Sequence, residues 1–360
     1  MIRANPIVVG AGVIGLTTAW LLRRAGYRPL VLDAGEPARE SSWAGGGIVC
    51  PVPPWRYPQP VNALVERSRS LYPDLVGELQ QASRVDCEYW RSGLLLVGEM
   101  LEQGHAWLSA RQPRAEFGQV ADFEPEFEPR TAPAALLADI PQLRNPRLAQ
   151  ALLGALRRHD VVVRGHAPVE RIEFANGRVA AVMLANGDRV AAADVIVAAG
   201  AWTDRLLEAS GLAGLGIEPV RGQMLLFNPG RRLLRHMVNH GRGYLIPRRD
   251  GRILAGSSAE RVGFDRRPQQ AFYRDALGMA RACLLALRES QIECHWLGFR
   301  PGIRADLPAI GAYPGVAGLW LNAGHFRNGL GMAPAAAELL IQRMRSGVPG
   351  LAFGVAPMQG

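Results

Sequence analysis

The sequence contains no lysine, so all 41 of its basic residues are arginines. This absence excludes Schiff-base chemistry, pyridoxal phosphate catalysis and P-loop phosphate binding, because each of them needs a lysine amine. Cysteine is also scarce. The four cysteines form no Cys-x-x-Cys pair and no pattern of a disulfide framework; they are Cys50, Cys87, Cys283 and Cys294.

Metal-ligand patterns are missing as well. His236 and His240 are four residues apart, but the sequence around them predicts a turn and a strand rather than a helix, and no third ligand is near. We therefore expect no metal site.

Long apolar runs are absent too. No run reaches the roughly 18 residues that a membrane-spanning helix requires. The N-terminal apolar stretch is interrupted by glycines, which argues against a secretory signal. We expect a cytoplasmic protein without a membrane span. With 360 residues, 48% of them hydrophobic and 20% charged, the chain is long for one core and predicts two associated domains.

The net charge of +9 raises the question of a nucleic-acid partner. The arginines are scattered in pairs, such as Arg23-Arg24 and Arg266-Arg267, and never form a block of five or six. A nucleic-acid face is therefore not favoured, and we attribute the charge to a bias in composition.

The first 33 residues have the order of a dinucleotide-binding βαβ unit. An apolar run at residues 7–9 leads into Gly10-Ala11-Gly12-Val13-Ile14-Gly15, then an amphipathic helix, a second strand at residues 29–32, and Asp33. Gly10 permits the tight turn, Gly12 lets the backbone approach a pyrophosphate, and Gly15 lets helix and strand pack closely. Asp33 would accept hydrogen bonds from the ribose, and the helix N-terminus would bind phosphate.

Two later segments fit the same ligand. Residues 41–48 read Ser-Ser-Trp-Ala-Gly-Gly-Gly-Ile, which suits backbone passing close to a flat or anionic group, with both serines near phosphate oxygens. Residues 194–202 predict a buried strand that ends at small residues beneath a cofactor.

Four local predictions concern the connecting structure. Residues 62–81 predict a helix with a break near Pro73. Residues 87–97 predict two paired strands that turn at Ser92-Gly93. Residues 123–128 predict a solvated acidic turn, and Asn-Gly at 176–177 and 186–187 predicts two hairpins.

Taken in order, seven segments resemble the D-amino acid oxidase family of FAD enzymes, and within it the glycine-oxidising branch associated with thiamine biosynthesis. Besides the fingerprint with Asp33 and residues 41–48, they are 195–202, 221–224 (Arg-Gly-Gln-Met), 244–248 (Tyr-Leu-Ile-Pro-Arg), 298–302 (Gly-Phe-Arg-Pro-Gly) and 324–330 (Gly-His-Phe-Arg-Asn-Gly-Leu).

The resemblance implies roles for three residues near the reacting atoms. Arg300 matches the arginine that binds the substrate carboxylate with its forked guanidinium. Tyr244 matches the tyrosine that closes over the substrate, and Arg327 lies in the loop that approaches both substrate and flavin. The helix after that loop would present its N-terminus to the flavin. No general base is required if the amine enters deprotonated.

The resemblance also implies non-covalent FAD, because Cys294 does not match the cysteine that tethers flavin in some relatives. Asp33 stands where glutamate is commoner in the family. The expected FAD contacts are Gly10, Gly12, Val13, Ile14, Gly15, Asp33, Ala34, Ser41, Ser42, Gly46, Gly47, Ile48, Val169, Gly200, Trp202, His325, Phe326, Arg327, Asn328, Gly329, Leu330 and Gly331.

The expected architecture is α/β: a Rossmann-like FAD-binding domain with a mixed or parallel sheet, and an antiparallel-sheet substrate domain. The FAD-binding domain would comprise residues 1–85, 145–215 and 296–345, the substrate domain residues 86–144 and 216–295, and a tail residues 346–360. A homo-oligomer is left open.

The expected reaction is oxidative deamination of glycine, sarcosine or small D-amino acids, with hydride transfer from Cα to the flavin and reoxidation by O2. Its products would be the imine or 2-oxo acid, ammonia and H2O2, in support of thiamine synthesis. Two alternatives remain: a D-amino acid dehydrogenase that reduces quinone, and a flavin-dependent tRNA-modifying or tRNA-binding protein.

Overall fold

A six-stranded sheet lies at the centre of the nucleotide-type part of the chain. The computed structural model describes residues 5–110, 114–241 and 243–352. Numbered along the chain, the six strands are β1 (Ile7–Val9), β2 (Leu30–Leu32), β8 (Val162–Arg164), β12 (Val195–Val197), β18 (Ala309–Ala312) and β19 (Leu319–Ala323). Their order is β18-β19-β12-β1-β2-β8, and every pair is parallel except β18 with β19. The strand order reverses at β1, where ligands bind in such sheets.

Alternate residues of these strands face opposite layers. Val8, Val31 and Ile196 contribute to a core with four helices, while Ile7, Val9 and Val197 face a second core. The four helices are α1 (Val13–Arg24), α3 (Gln59–Ser83), α6 (Asn145–Arg158) and α9 (Gly329–Ser346). The second core is closed by α7 (Thr203–Ala209) and the meander β9 (Val169–Ala175), β10 (Arg178–Leu184) and β11 (Arg189–Ala191).

An eight-stranded sheet forms the second part, in the order β17-β13-β16-β15-β14-β4-β6-β5. Its strands are β4 (Leu94–Val97), β5 (Glu116–Gln119), β6 (Pro133–Leu137), β13 (Glu218–Asn228), β14 (Met237–Asn239), β15 (Tyr244–Pro247), β16 (Ile253–Gly256) and β17 (Gln291–Gly302). All pairs are antiparallel except β4 with β14. The other α-helices of the described residues are α2 (Ser41–Ala44), α4 (Glu99–Ser109), α5 (Val120–Phe123) and α8 (Gln270–Cys283), and β3 (Trp90–Arg91) pairs with β7 (Pro141–Gln142). Short 3-10 turns occur among the connections.

Two local predictions were wrong. Helix α3 continues through Pro73 for 25 residues without a break, because its buried face packs along α9 and α6. The chain does turn at Ser92-Gly93, but β3 pairs with β7 whereas β4 pairs with β6 and β14.

The acidic segment at residues 123–128 is solvated only in part: Glu126 is exposed as predicted, whereas Glu124 is not. Glu124 is fully buried, and its carboxylate accepts hydrogen bonds from the backbone N–H groups of Arg235 and His236. It also contacts the Nδ1 atom of His236 at 2.9 Å. These three partners compensate for the lost hydration of the carboxylate.

Both hairpins are confirmed: β9 turns into β10 at Asn176-Gly177, and β10 into β11 at Asn186-Gly187. The α/β class with a mixed sheet and a second, mainly antiparallel sheet is confirmed as well. The domain boundaries stay a prediction, and residues 353–360 of the expected tail lie outside the described residues. Across the described residues, none of the helices combines the length and apolar character needed to span a bilayer.

Candidate active site

One cavity of about 480 Å³ is lined by residues from both large sheets and from the loops that follow their strands. At one end lie the β1–α1 turn and Asp33, and at the other lie Tyr244, Arg300 and Arg327. The first end is where the sequence predicts a nucleotide, and the second is where it predicts a substrate. The cavity therefore brings the predicted groups together although Gly10 and Arg327 are more than three hundred residues apart in sequence.

The glycines of the β1–α1 turn lack side chains for steric reasons. Gly10 has a φ of 107°, and a Cβ there would lie 2.3 Å from the carbonyl oxygen of Ala198. A Cβ on Gly15 would lie 1.8 Å from the carbonyl oxygen of Gly10. Gly10 thus permits the turn beside β12, and Gly15 permits α1 to pack against β1, as predicted.

Gly12 and Ser42 meet at the N-terminus of α1. The Ser42 hydroxyl accepts a hydrogen bond from the backbone N–H of Val13 at 2.7 Å, and a Cβ on Gly12 would lie 3.0 Å from that oxygen. The single turn α2 therefore holds its serine beside the positive end of the helix, where an anion is favoured.

Asp33 closes the nucleotide end. One carboxylate oxygen accepts from the backbone N–H of Ala11 at 2.6 Å and the other from Gly35 at 2.9 Å. Burial raises the pKa of Asp33, and these two N–H groups oppose the rise. The carboxylate is thereby fixed at the end of β2 and lines the cavity.

Nearly all of the predicted cofactor contacts line this cavity. They are Gly10, Gly12, Val13, Ile14, Asp33, Ala34, Ser41, Ser42, Gly46, Gly47, Ile48, Val169, Gly200, Trp202, His325, Phe326, Arg327, Asn328, Gly329 and Leu330. Gly15 and Gly331 do not line it. Gly15 packs against Gly10, and a Cβ on Gly331 would face Val65 on α3.

At the other end, Arg300 extends from β17 toward the segment that follows β16. Its guanidinium donates to the carbonyl oxygen of Ser258 at 2.9 Å and to the hydroxyl of Ser257 at 2.8 Å. Burial lowers the pKa of Arg300, and the neighbouring Tyr244 hydroxyl opposes that shift. The guanidinium is thus held in place by neutral partners and lines the cavity without a carboxylate bonded to it among the described residues.

Tyr244 and Arg327 complete this end. The Tyr244 hydroxyl lies 3.7 Å from the sulfur of Met224, and its ring lies beside Gly46. Arg327 belongs to the short helical turn Phe326–Asn328 before α9. Burial raises the pKa of the Tyr57 hydroxyl, and the adjacent Arg327 guanidinium opposes that rise.

The charged residues around the cavity are unevenly distributed. Among its described lining residues, the acids Asp33, Glu36, Glu40 and Glu170 all belong to nucleotide-end segments. Arg39, which pairs with Glu36, lies in the same segment, and Arg205 lies on α7. The opposite end carries Arg300 and Arg327, and the N-terminus of α9 adds partial positive charge. This end therefore favours an anionic group on a small ligand.

The loop before α9 carries a buried histidine. His325 is 3% exposed, and burial lowers its pKa to about 3. The imidazole is therefore neutral at physiological pH and serves neither as a resident cation nor as a proton acceptor of ordinary strength.

The residues present fit FAD. Three buried polar atoms, on Asn145, Asn322 and His325, have no partner within the described part of the chain, and all three residues line the cavity. Unpaired buried polar atoms of this kind indicate a polar ligand. The glycine cradle beside α1 and the Asp33 carboxylate are the donor and acceptor set that a dinucleotide needs.

The cysteines are consistent with a ligand held without a covalent bond. Cys294 is exposed and is not among the lining residues. Cys50 lines the cavity, but burial raises the pKa of its thiol to about 12, so the reactive thiolate is disfavoured.

Several lining residues were not found from the sequence. The most informative are Tyr57, Asn145, Arg205, Ser257 and Asn322. Tyr57 lies in a Pro-rich, aromatic segment, which is a signal for an ordered functional loop. The other four have no local signal, since long-range packing alone brings them to the cavity.

Comparison with known proteins places this geometry in context. The model of the DAO family, described as FAD dependent oxidoreductase, matches residues 7–343. The chain is 40% identical to a glycine oxidase of Pseudomonas putida over 349 residues, covering 95% of both chains. It is 28% identical to a bifunctional protein ThiO/ThiG of Trichormus variabilis, covering 93% of this chain and 51% of that one.

A solved structure shares the fold. The crystal structure of glycine oxidase from Geobacillus kaustophilus superposes with a TM-score of 0.91, covers 100% of both chains and is 24% identical.

Proposed function

The chain belongs to the DAO family of FAD dependent oxidoreductases, and we propose that it oxidises glycine and related small amines with O2 as acceptor. The main observation behind this proposal is that two arginines, Arg300 and Arg327, line the same cavity as the nucleotide-type β1–α1 turn. The Pseudomonas putida relative is a glycine oxidase by name. Tyr244 and Tyr57 line the cavity near Arg300, and their rings would limit the space beside the carboxylate, which favours a small amino acid.

Substrate binding starts with the carboxylate. The Arg300 guanidinium is already oriented by the Ser257 hydroxyl and the Ser258 carbonyl oxygen, so little side-chain entropy is lost when it binds a substrate. A planar guanidinium can donate two parallel N–H groups to a carboxylate. Tyr244 lies against it and closes the pocket. Arg327 provides a second cation.

The amine enters in its neutral form. Two guanidiniums and a helix N-terminus at this end disfavour a further cation, which lowers the pKa of a bound ammonium group. A neutral amine carries the lone pair that stabilises the developing imine, so the chain needs no general base for this step. We therefore expect kcat/KM to rise with pH as the free amine becomes available.

Bound FAD would supply the two-electron acceptor chemistry, taking a hydride from the substrate α-carbon and passing the electrons to O2. Gly10, Gly12, Asp33 and Ser42 would hold its adenosine and pyrophosphate half. The N-terminus of α9 would offer positive potential where negative charge develops at the substrate end. We propose that the FAD is held without a covalent bond.

A substrate screen tests this function. The purified protein is first examined for a flavin absorption spectrum and then assayed for H2O2 with glycine, sarcosine and D-alanine in air. Peroxide formed with glycine supports the proposal. Reduction of an artificial dye without peroxide would instead favour a dehydrogenase, and failure of every amine would refute an amine oxidase.

Three further features stay proposals. The resemblance to ThiO/ThiG proteins supports a role in thiamine biosynthesis, which a thiamine requirement in a deletion strain would test. The four cysteines, all within the described residues, form no disulfide, which supports a reducing, cytoplasmic location that cell fractionation would test. Size-exclusion chromatography with light scattering would determine whether the protein is an oligomer.

A further inference from the structure

Arg300 reaches its partners by crossing a neighbouring strand. It lies on β17, the edge strand of the eight-stranded sheet, where it pairs with Val220 of β13. Its hydrogen-bond partners, Ser257 and Ser258, follow the end of β16, which lies on the far side of β13. Adjacent strands are about 4.8 Å apart. The side chain must therefore lie across the face of β13.

The residue under the guanidinium is Gly222. A Cβ on Gly222 would lie 2.0 Å from Nη1 of Arg300, 2.3 Å from Cζ and 2.4 Å from Nη2. All three of the nearest atoms belong to the guanidinium, and each is closer than van der Waals contact allows. Any side chain at this position would occupy the place of the charged group.

The backbone does not explain this glycine. Gly222 is not among the glycines with positive φ, so its conformation is one that any residue adopts in a strand. A glycine inside a strand weakens it through lost packing and greater entropy in the unfolded chain. The structural benefit that offsets this cost is the space that Gly222 leaves for the Arg300 guanidinium.

We propose that Gly222 is a positioning residue for Arg300: its missing side chain lets the guanidinium lie across β13 and face the cavity. This proposal depends on the function proposed above in one respect, namely that Arg300 binds the substrate carboxylate. Arg300 binds the substrate, and Gly222 acts through it. The contribution of Gly222 should therefore vanish when Arg300 is removed.

The test compares Gly222→Ala, Arg300→Ala, the double variant, and Gly278→Ala as a matched control. Gly278 lies on α8, and a Cβ there has no atom within 4 Å. Each holoenzyme is assayed for kcat and KM with glycine, for acetate affinity from the change in flavin absorbance, for FAD content, and for melting temperature. Acetate serves as a carboxylate probe that is not oxidised.

We expect Gly222→Ala to raise both the KM for glycine and the Kd for acetate about tenfold or more. A displaced Arg300 would lose at least one charge-assisted hydrogen bond to the carboxylate, and that loss corresponds to a change of this size. The kcat should change less, and FAD should be retained. Gly278→Ala should match the unsubstituted protein in KM, acetate affinity and FAD content, and its melting temperature should be equal or slightly higher because alanine favours the helix. In the Arg300→Ala background, Gly222→Ala should change affinity and melting temperature by no more than the control does.

Unchanged acetate affinity in Gly222→Ala would overturn the proposal, and so would effects of the two substitutions that multiply in the double variant. If Gly222→Ala does not accumulate as folded protein, the double variant must restore folded protein with FAD, and its failure would also overturn the proposal. If the unsubstituted protein binds acetate but does not oxidise glycine, the proposed function fails while acetate still tests Gly222. If the unsubstituted protein binds neither glycine nor acetate, the melting temperatures test the proposal. Gly222→Ala should then lower the melting temperature when Arg300 is present and not in the Arg300→Ala background, and equal changes in both would overturn the proposal.

Discussion

Replacing Arg300 with alanine removes the group to which the account assigns the substrate carboxylate. In the structure, its guanidinium bonds two neutral oxygens of Ser257 and Ser258 and lines the cavity. A carboxylate bound to its free edge gains up to two charge-assisted hydrogen bonds, each worth roughly 1.5–3 kcal/mol. Water enters the space left by the truncated side chain and recovers part of this energy.

We therefore expect Arg300→Ala to lose about 3 kcal/mol of carboxylate binding, which corresponds to roughly a hundredfold rise in the KM for glycine. FAD should remain bound, since the cradle of Gly10, Gly12 and Asp33 lies at the other end of the cavity. Steady-state kinetics with peroxide detection, together with the flavin spectrum, measure both quantities.

Two controls separate carboxylate binding from general effects of charge. Arg261→Ala removes the same charge from an exposed position and should leave the KM for glycine unchanged. Glycine ethyl ester lacks the carboxylate, so its oxidation should respond much less than that of glycine. Equal losses for the ester and glycine, or loss of flavin from Arg300→Ala, would refute the assigned role and make Arg300 structural.

Three other substitutions test separate parts of the account. Gly12→Val should abolish FAD retention, because the added side chain would reach Ser42 at the N-terminus of α1; a yellow variant with normal FAD content would refute the pyrophosphate role, and Gly77→Val, with open space around it, is the control. Tyr244→Phe should raise the KM for glycine about fivefold to tenfold, because one hydrogen bond to the substrate is lost. Unchanged kinetics would show that the Tyr244 hydroxyl does not contact the substrate. His325→Gln should flatten the pH dependence of stability: because burial lowers the pKa of His325 from 6.5 to about 3, the unfolded chain binds more protons between those values, and stability falls as pH decreases below 6.5. Denaturant unfolding at pH 7 and pH 5 should show the unsubstituted protein losing about 2 kcal/mol more than the variant, and equal losses would contradict a neutral buried His325.

Sequence reasoning succeeded where function depends on local backbone. The β1–α1 turn could be predicted because the φ of 107° at Gly10 and the contact of Gly15 with Gly10 are both features of the βαβ unit itself. The two Asn-Gly hairpins were predictable for the same reason, since turn chemistry alone determines them. The assignment of FAD followed from the order of several segments rather than from any one of them.

The features that could not be predicted from the sequence are those determined by contacts between distant segments. Pro73 does not break α3, because packing against α9 and α6 outweighs the missing N–H group. Glu124 lies in an acidic run, yet the N–H groups of Arg235 and His236, more than a hundred residues later, make its burial possible. Ser257 likewise has no local signal, because only the sheet order brings it to Arg300.

The central claim is that one cavity holds a flavin at the fingerprint end and an amino acid carboxylate at Arg300. The most direct test is anaerobic addition of glycine to the purified yellow protein, followed by admission of air. The account predicts that the visible flavin absorbance bleaches without oxygen. Once unreacted glycine has been removed under anaerobic conditions, admission of air should restore the absorbance, with about one H2O2 formed per bound flavin. A protein that carries FAD and keeps its colour at saturating glycine, sarcosine and D-alanine would contradict it.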